Sequence, residues 1–153
     1  MFTWMLWVLL AASCWGQALG TWKMVPAKSR YSSGPLAKAI AAKYEAHSEA
    51  ETWTFYQVLA DGISETTSQT LRFDAKEYPC GDLGLEERPD TVISRKLDAR
   101  TAEVSYKRSG KVTRRVVRTV SADGKQMTLD VHITPEKGPT VERWLVFERS
   151  DTN

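Results

Sequence analysis

From Pro35 onward the chain alternates apolar and polar side chains in short runs, and turn residues cut the runs apart. Trp53, Phe55, Gln57 and Leu59 interleave with Thr54, Tyr56 and Val58. Ile63–Phe73, Thr91–Leu97, Ala102–Arg108, Val112–Val120, Met127–Thr134 and Val141–Arg149 are further runs of this kind. Between them stand Asp61-Gly62, Ser109-Gly110, Asp123-Gly124 and Lys137-Gly138-Pro139. In an extended chain successive side chains point to opposite faces, so each run has one face to bury and one that tolerates water. Many short strands joined by tight turns predict an all-β, antiparallel up-and-down meander, folded as a sandwich or barrel. Pro79–Pro89, with Gly81, Gly84 and the neighbouring Glu86 and Glu87, reads as a long loop whose two carboxylates are solvated.

One segment resists this pattern. Leu36–His47 holds five Ala and follows a proline, which favours helix on propensity. The phase of Ile40, Ala42, Tyr44 and Ala46 fits a strand equally well, and strand is the reading adopted.

The hairpin around Ser109-Gly110 sets the sharpest register expectation. A three-residue loop, Arg108-Ser109-Gly110, would face Lys107 with Lys111 and Glu103 with Arg115. Ala102, Val104, Tyr106, Val112, Val116 and Val120 would then share the inner face, and a two-residue turn would mix the faces. That register also sends Arg114 and Arg118 inward. An unpaired guanidinium in a dry core costs several kcal/mol, more than the ~1.5–3 kcal/mol that burying a valine returns. Three outcomes stay open: a wet lumen with a basic handle, an acidic partner waiting inside, or a bulge that turns both arginines outward.

The chain has 153 residues, and six Trp, five Tyr and four Phe make it too rich in apolar surface for a disordered chain. Phe2–Ala12 is almost wholly apolar, yet shorter than the ~20 residues a membrane-spanning helix needs. It reads as a signal segment, residues 1–18, with Gly16-Gln17-Ala18 as the cleavage site ahead of one domain at 19–153. Ala11-Ala12-Ser13-Cys14 supplies an alternative, a lipoprotein box with Cys14 acylated and the protein anchored to a membrane. Either way the expected location is secreted, periplasmic or envelope-attached. Removing the segment to Ala18 leaves Cys80 as the sole cysteine, with no intramolecular disulfide to form; it reads as a buried small hydrophobe, with a reactive or intermolecular thiol as the alternative. Lys and Arg number 21 against 19 acidic residues, a net charge of +2 that argues for no nucleic-acid partner.

No nucleophile elbow, zinc-binding His-Glu-x-x-His, phosphate-binding loop or Cys-x-x-Cys occurs. The two histidines, His47 and His132, stand alone on turn and outer-face positions, so neither a metal site nor a catalytic set is expected. The run from Lys107 to Arg118 lacks the interleaved aromatics of a single-strand nucleic-acid platform. No cofactor is implied, and the chain reads as a non-enzyme.

Gly20-Thr21-Trp22-Lys23 resembles the opening of fatty-acid-binding proteins and, more loosely, the Gly-x-Trp of lipocalins. Lys28-Ser29-x-Tyr31-Ser32-x-Gly34-Pro35, Ser121-x-Asp123-Gly124-Lys125-x-Met127-Thr128 and Val146-Phe147-Glu148-Arg149 together resemble small exported bacterial lipocalin-like proteins of unknown function. The resemblance implies a lipocalin-like barrel of about 8–10 strands, closed at one end by Trp22. The Arg-x-Tyr clamp of fatty-acid-binding proteins falls here on Leu145 and Phe147, so that clamp is absent. Tyr106, Arg114, Arg118, Arg143 and Phe147 are the candidate ligand-binding residues, in a lumen suited to a small hydrophobic or amphipathic ligand with an acidic end. The competing reading is a structural or interaction protein of the cell envelope with no lumen ligand.

Overall fold

Alternation decides the first element. In β1 (Gly20–Met24) Trp22 and Met24 are buried while Lys23 is exposed. The same rule orders β3 (Ala39–His47), where Ile40, Ala42 and Tyr44 point in, so the alanine-rich segment is a strand. β-Pairing overrides helix propensity here because β1 and β4 (Ala50–Val58) flank it on both sides. A computed structural model describes residues 17–150, in which the one helical element is a 3-10 turn at Pro26–Lys28. The apolar segment before Gln17, with Cys14, lies outside the described residues.

The remaining strands are β2 (Arg30–Tyr31), β5 (Ser64–Leu71), β6 (Asp74–Pro79), β7 (Thr91–Lys96), β8 (Thr101–Arg108), β9 (Lys111–Val120), β10 (Gln126–Ile133) and β11 (Val141–Arg149). They form one sheet in the order β5-β4-β3-β1-β11-β10-β9-β8-β7-β6, with the two-residue β2 beside β11. Every ladder is antiparallel. Among the described residues no ladder joins the edges β5 and β6. Side chains bring the two halves together instead: the Tyr106 hydroxyl on β8 donates to Gln69 Oε1 on β5 at 2.7 Å, and Arg118 on β9 reaches Glu51 on β4. The result is a curled antiparallel half-barrel, the all-β meander that the sequence predicts. β6 has no counterpart in the sequence reading. All its residues but Tyr78 are exposed, and it starts at a corner where Phe73 and Ala75, not glycines, hold positive φ (54° and 62°).

Two corrections concern the β8–β9 hairpin. Ser109 and Gly110 both take positive φ (50° and 79°), so the turn has two residues and Arg108 faces Lys111. Asp90 from the long loop accepts the Ser109 N–H at 3.1 Å and holds that turn. A bulge then opposes Tyr106 to Arg114 and Lys107 to Val112, restoring the inward phase of Arg114, Val116, Arg118 and Val120. Val112 pairs with Lys107 and is 47% exposed, bordering the cavity at its rim rather than packing in the core. Glu103 stands opposite Val117 rather than Arg115. It still meets Arg115 diagonally, whose Nε donates to Glu103 Oε2 at 2.7 Å, while Arg95 Nε donates to Oε1 at 2.9 Å. The four-residue loop between Ser121 and Gln126 keeps Met127, Leu129, Val131 and Ile133 inside, as expected.

One end of the curl is closed and dry. Trp22, Met127 and Phe147 are 0% exposed and Val120 is 1% exposed. Met127 lies directly between Val120 and Phe147, and Phe147 also faces Met24. Trp22 stacks under Arg149, whose guanidinium carbon lies 4.2 Å from the ring centroid. Arg149 donates to the carbonyls of Gly124 (2.9 Å), Leu19 (2.5 Å) and Gln17 (2.7 Å), and the Trp22 indole donates to Ala18 O at 2.8 Å. Gly20 makes this possible: its φ is +115°, and a Cβ there would sit 2.8 Å from Arg149 Nη1.

Candidate ligand site

Above the closed end the strands stop filling the interior, and a cavity of about 1420 Å³ opens. That exceeds the ~300–1,000 Å³ of common small-molecule pockets. The ladders β9–β10–β11 describe its wall as successive layers about 6.8 Å apart, two residues of antiparallel strand per step. The floor is Val120, Met127 and Phe147; then come Arg118, Leu129 and Leu145; then Val116, Val131 and Arg143; then Arg114, Ile133 and Val141 near the mouth. Ala102, Val104 and Tyr106 on β8 stand beside Arg118, Val116 and Arg114 in turn. Across the lumen β3 and β4 raise an aromatic wall, with Tyr44 edge-on to Phe55 at 6.2 Å and Trp53 tilted against Phe55 at 4.9 Å.

All five sequence-nominated residues border this one cavity. Phe147 is its floor. Tyr106 stands in the wall with its hydroxyl committed to Gln69. Burial pushes the Tyr106 phenol well above its ordinary range, and a positive Arg114 nearby only partly offsets this.

The arginines divide by their partners. Arg118, 7% exposed, makes a two-pronged ion pair with Glu51, 2% exposed, and lies 4.6 Å from the Tyr44 ring centroid. Burial raises the Tyr44 phenol to about 12, against the pull of Arg118. Arg114 Nε donates to Glu87 Oε1 at 2.6 Å, and Arg108 Nη1 donates to the Glu87 backbone carbonyl at 3.3 Å. Glu87 is therefore not a solvated loop carboxylate: its side chain is 4% exposed, and it pulls the 80–90 loop over the mouth. The physical reason is that a guanidinium forced inward by register recruits the nearest carboxylate. Arg143 has no ion pair and no hydrogen bond among the described residues; only the Tyr31 ring covers it, at 4.6 Å.

Glu51, Glu87, Tyr31 and Gln69 escaped the sequence reading. Glu51 had a signal, since it shares the odd-numbered inward phase of Trp53, Phe55 and Gln57. Glu87, in an irregular loop, had none.

Other chemistry-bearing groups stand apart from the cavity. His132 sits on the outer face between Asp130 (3.2 Å) and Glu142 (3.5 Å). Cys80 is only partly buried, and desolvation raises its thiol above the ordinary value. No group of three or more His, Cys, Asp or Glu able to hold a metal occurs among the described residues.

The fold is that of the lipocalin and fatty-acid-binding-protein barrels. The chain is similar to the crystal structure of zebrafish ileal bile acid-binding protein complexed with cholic acid. The TM-score is 0.54 at 10% identity, over 88% of this chain and 99% of that one. It also aligns with the siderocalin Ex-FABP at a TM-score of 0.46 and 10% identity, over 90% of this chain and 76% of that one. No protein-family model matches the sequence, and no curated protein matches it.

Proposed function

We propose that this protein is a non-enzymatic carrier that holds a small, mainly apolar ligand in the barrel lumen. The observation that carries this reading is the cavity of about 1420 Å³ between a dry apolar floor and a mouth crossed by the Glu87 loop. A fold that needed its interior only for stability would fill it, because protein interiors are close-packed. The bile acid-binding neighbour, whose structure is complexed with cholic acid, shares this fold. Tyr106, Val104, Val116, Trp53 and Phe55 form the walls for the ligand body, with Phe147 beneath it. Titration with the neutral fluorophore N-phenylnaphthylamine tests the reading: saturable, blue-shifted emission at one site per chain is the expected result. Emission that rises without saturation sinks the proposal in favour of an envelope interaction protein with no lumen ligand.

Export belongs to the same proposal and rests on the apolar segment that opens the chain. Of the two processing points, acylation at Cys14 keeps the carbonyls of Gln17 and Ala18 that serve Arg149 and Trp22, whereas a cut after Ala18 removes both acceptors. These contacts support the lipid-anchored form. The mass of the mature N-terminus is the test, and a chain beginning at Leu19 decides against it.

A further inference from the structure

The N-terminal segment meets the barrel at its closed end, not at its mouth. Arg149 and Trp22 hold the carbonyls of Gln17, Ala18 and Leu19 there, and the Ala18 side chain is buried in the floor. The Ser150 N–H donates to Thr21 O beside them at 2.8 Å. The Arg114 rung near the mouth stands three rungs above the floor, about 20 Å away. Sixteen residues precede Gln17, almost wholly apolar from Phe2 to Ala12, and Cys14 is only three positions before it. Three residues of extended chain reach about 10 Å. A bilayer that takes up this segment, by acylation at Cys14 or through its apolar run, therefore lies beside the closed end and far from the mouth.

The closed end also presents suitable chemistry. The turns at 97–100 and 121–126 adjoin it: Arg100 O accepts the Val120 N–H at 2.9 Å, and Lys125 O accepts the Arg149 N–H at 3.0 Å. Leu97 (46% exposed), Ala99, Arg100, Ala122 and Lys125 stand outward on these turns. Their acids, Asp98 and Asp123, are folded back onto their own backbone, accepting the N–H of Arg100 at 2.8 Å and of Lys125 at 3.0 Å. Small apolar tips beside a guanidinium and an ammonium match a layer of lipid phosphates. At the mouth, Asp61, Glu86 and Glu136 offset Arg108, Lys111 and Lys137, so the rim offers a phosphate layer no basic excess.

We infer that the closed end, through the turns at 97–100 and 121–126, sits on the phosphate surface of the membrane that holds the N-terminal segment. This orientation rests on the anchored form proposed above. The mouth then points away from that membrane, and the ligand exchanges with the space beyond rather than being drawn from the bilayer beneath.

The test places the full acylated chain in vesicles of phosphatidylethanolamine and phosphatidylglycerol that carry a headgroup spin label. In a Cys80→Ser background, with the Cys14 thiol blocked by its acyl group, a fluorophore is attached at Ala99→Cys or at Lys111→Cys. Both positions are exposed, so neither label enters the core. The spin label is expected to quench position 99 at least about fivefold more strongly than position 111, since about 20 Å of barrel separates the ends. Equal quenching, or stronger quenching at 111, overturns the orientation and leaves anchoring and the carrier reading standing. A chain that fails to float with the vesicles overturns the anchored form, and the docking face with it.

Discussion

The floor of the barrel and its mouth use the same strands and opposite physics. At the floor, Trp22, Phe147, Met127 and Val120 interlock with 0–1% exposure, and Arg149 ties the N-terminal segment to the turn at Gly124. One to three rungs higher, the same β9, β10 and β11 border open space, and their charged side chains find partners from distant elements or find none. Packing density is therefore spent at one end, where it specifies the fold. The other end is left with the groups that can recognise a ligand.

Truncation at the two ends breaks the comparison most directly. Phe147→Ala leaves a void in a filled layer and should cost about 3–5 kcal/mol, seen as a lower urea midpoint at unchanged slope. Val116→Ala borders an existing cavity and should cost about 1 kcal/mol. Equal costs would mean that the upper lumen is packed as tightly as the floor. The buried ion pair comes next. Glu51→Ala strands Arg118 and should cost about 3 kcal/mol, whereas replacing both partners by leucine should restore most of it. Glu87→Ala should cost less, because Arg114 lies nearer the mouth, and its readout is faster protease cleavage within residues 80–90. Gly20→Ala sharpens the picture of the closed end. Positive φ and the close approach of Arg149 predict a loss of about 1–2 kcal/mol in thermal unfolding.

The smallest effect is electrostatic and lies on the outer face. Burial alone would raise the Glu103 carboxyl, but the guanidiniums of Arg115 and Arg95 outweigh it and hold the group below its ordinary value. A carboxyl depressed in the folded state stabilises above its unfolded pKa, and that contribution is lost as pH falls through the folded value. Stability should thus decline as pH drops below about 4.3, and Glu103→Gln should flatten that part of the profile. An unchanged acid limb in the variant would show that the Arg95–Glu103–Arg115 cluster is screened by solvent.

Much of this was legible in the chain itself. Alternation named the inner faces of β3, β4 and β8–β11, but for Arg114 and Arg118 it left an inward placement and an outward bulge both open, and the structure decides for inward. The hairpin partners did not follow. A three-residue loop and a two-residue turn with a bulge both send Arg114 and Arg118 inward, and it is the positive φ of Ser109 and Gly110, with the Arg108–Lys111 pairing, that separates them. β6 was invisible because a short edge strand with every residue but Tyr78 exposed carries no apolar period.

Local pattern could determine strands and faces because the side-chain period of an extended chain is a property of a few consecutive residues. Which inward charge is neutralised depends on groups 67 residues away for Arg118 and 27 away for Arg114. Curling of the sheet brings those carboxylates within reach of two arginines and leaves Arg143 without one. Only the tertiary structure decides that, since distance in space, not in sequence, sets the energy of an ion pair.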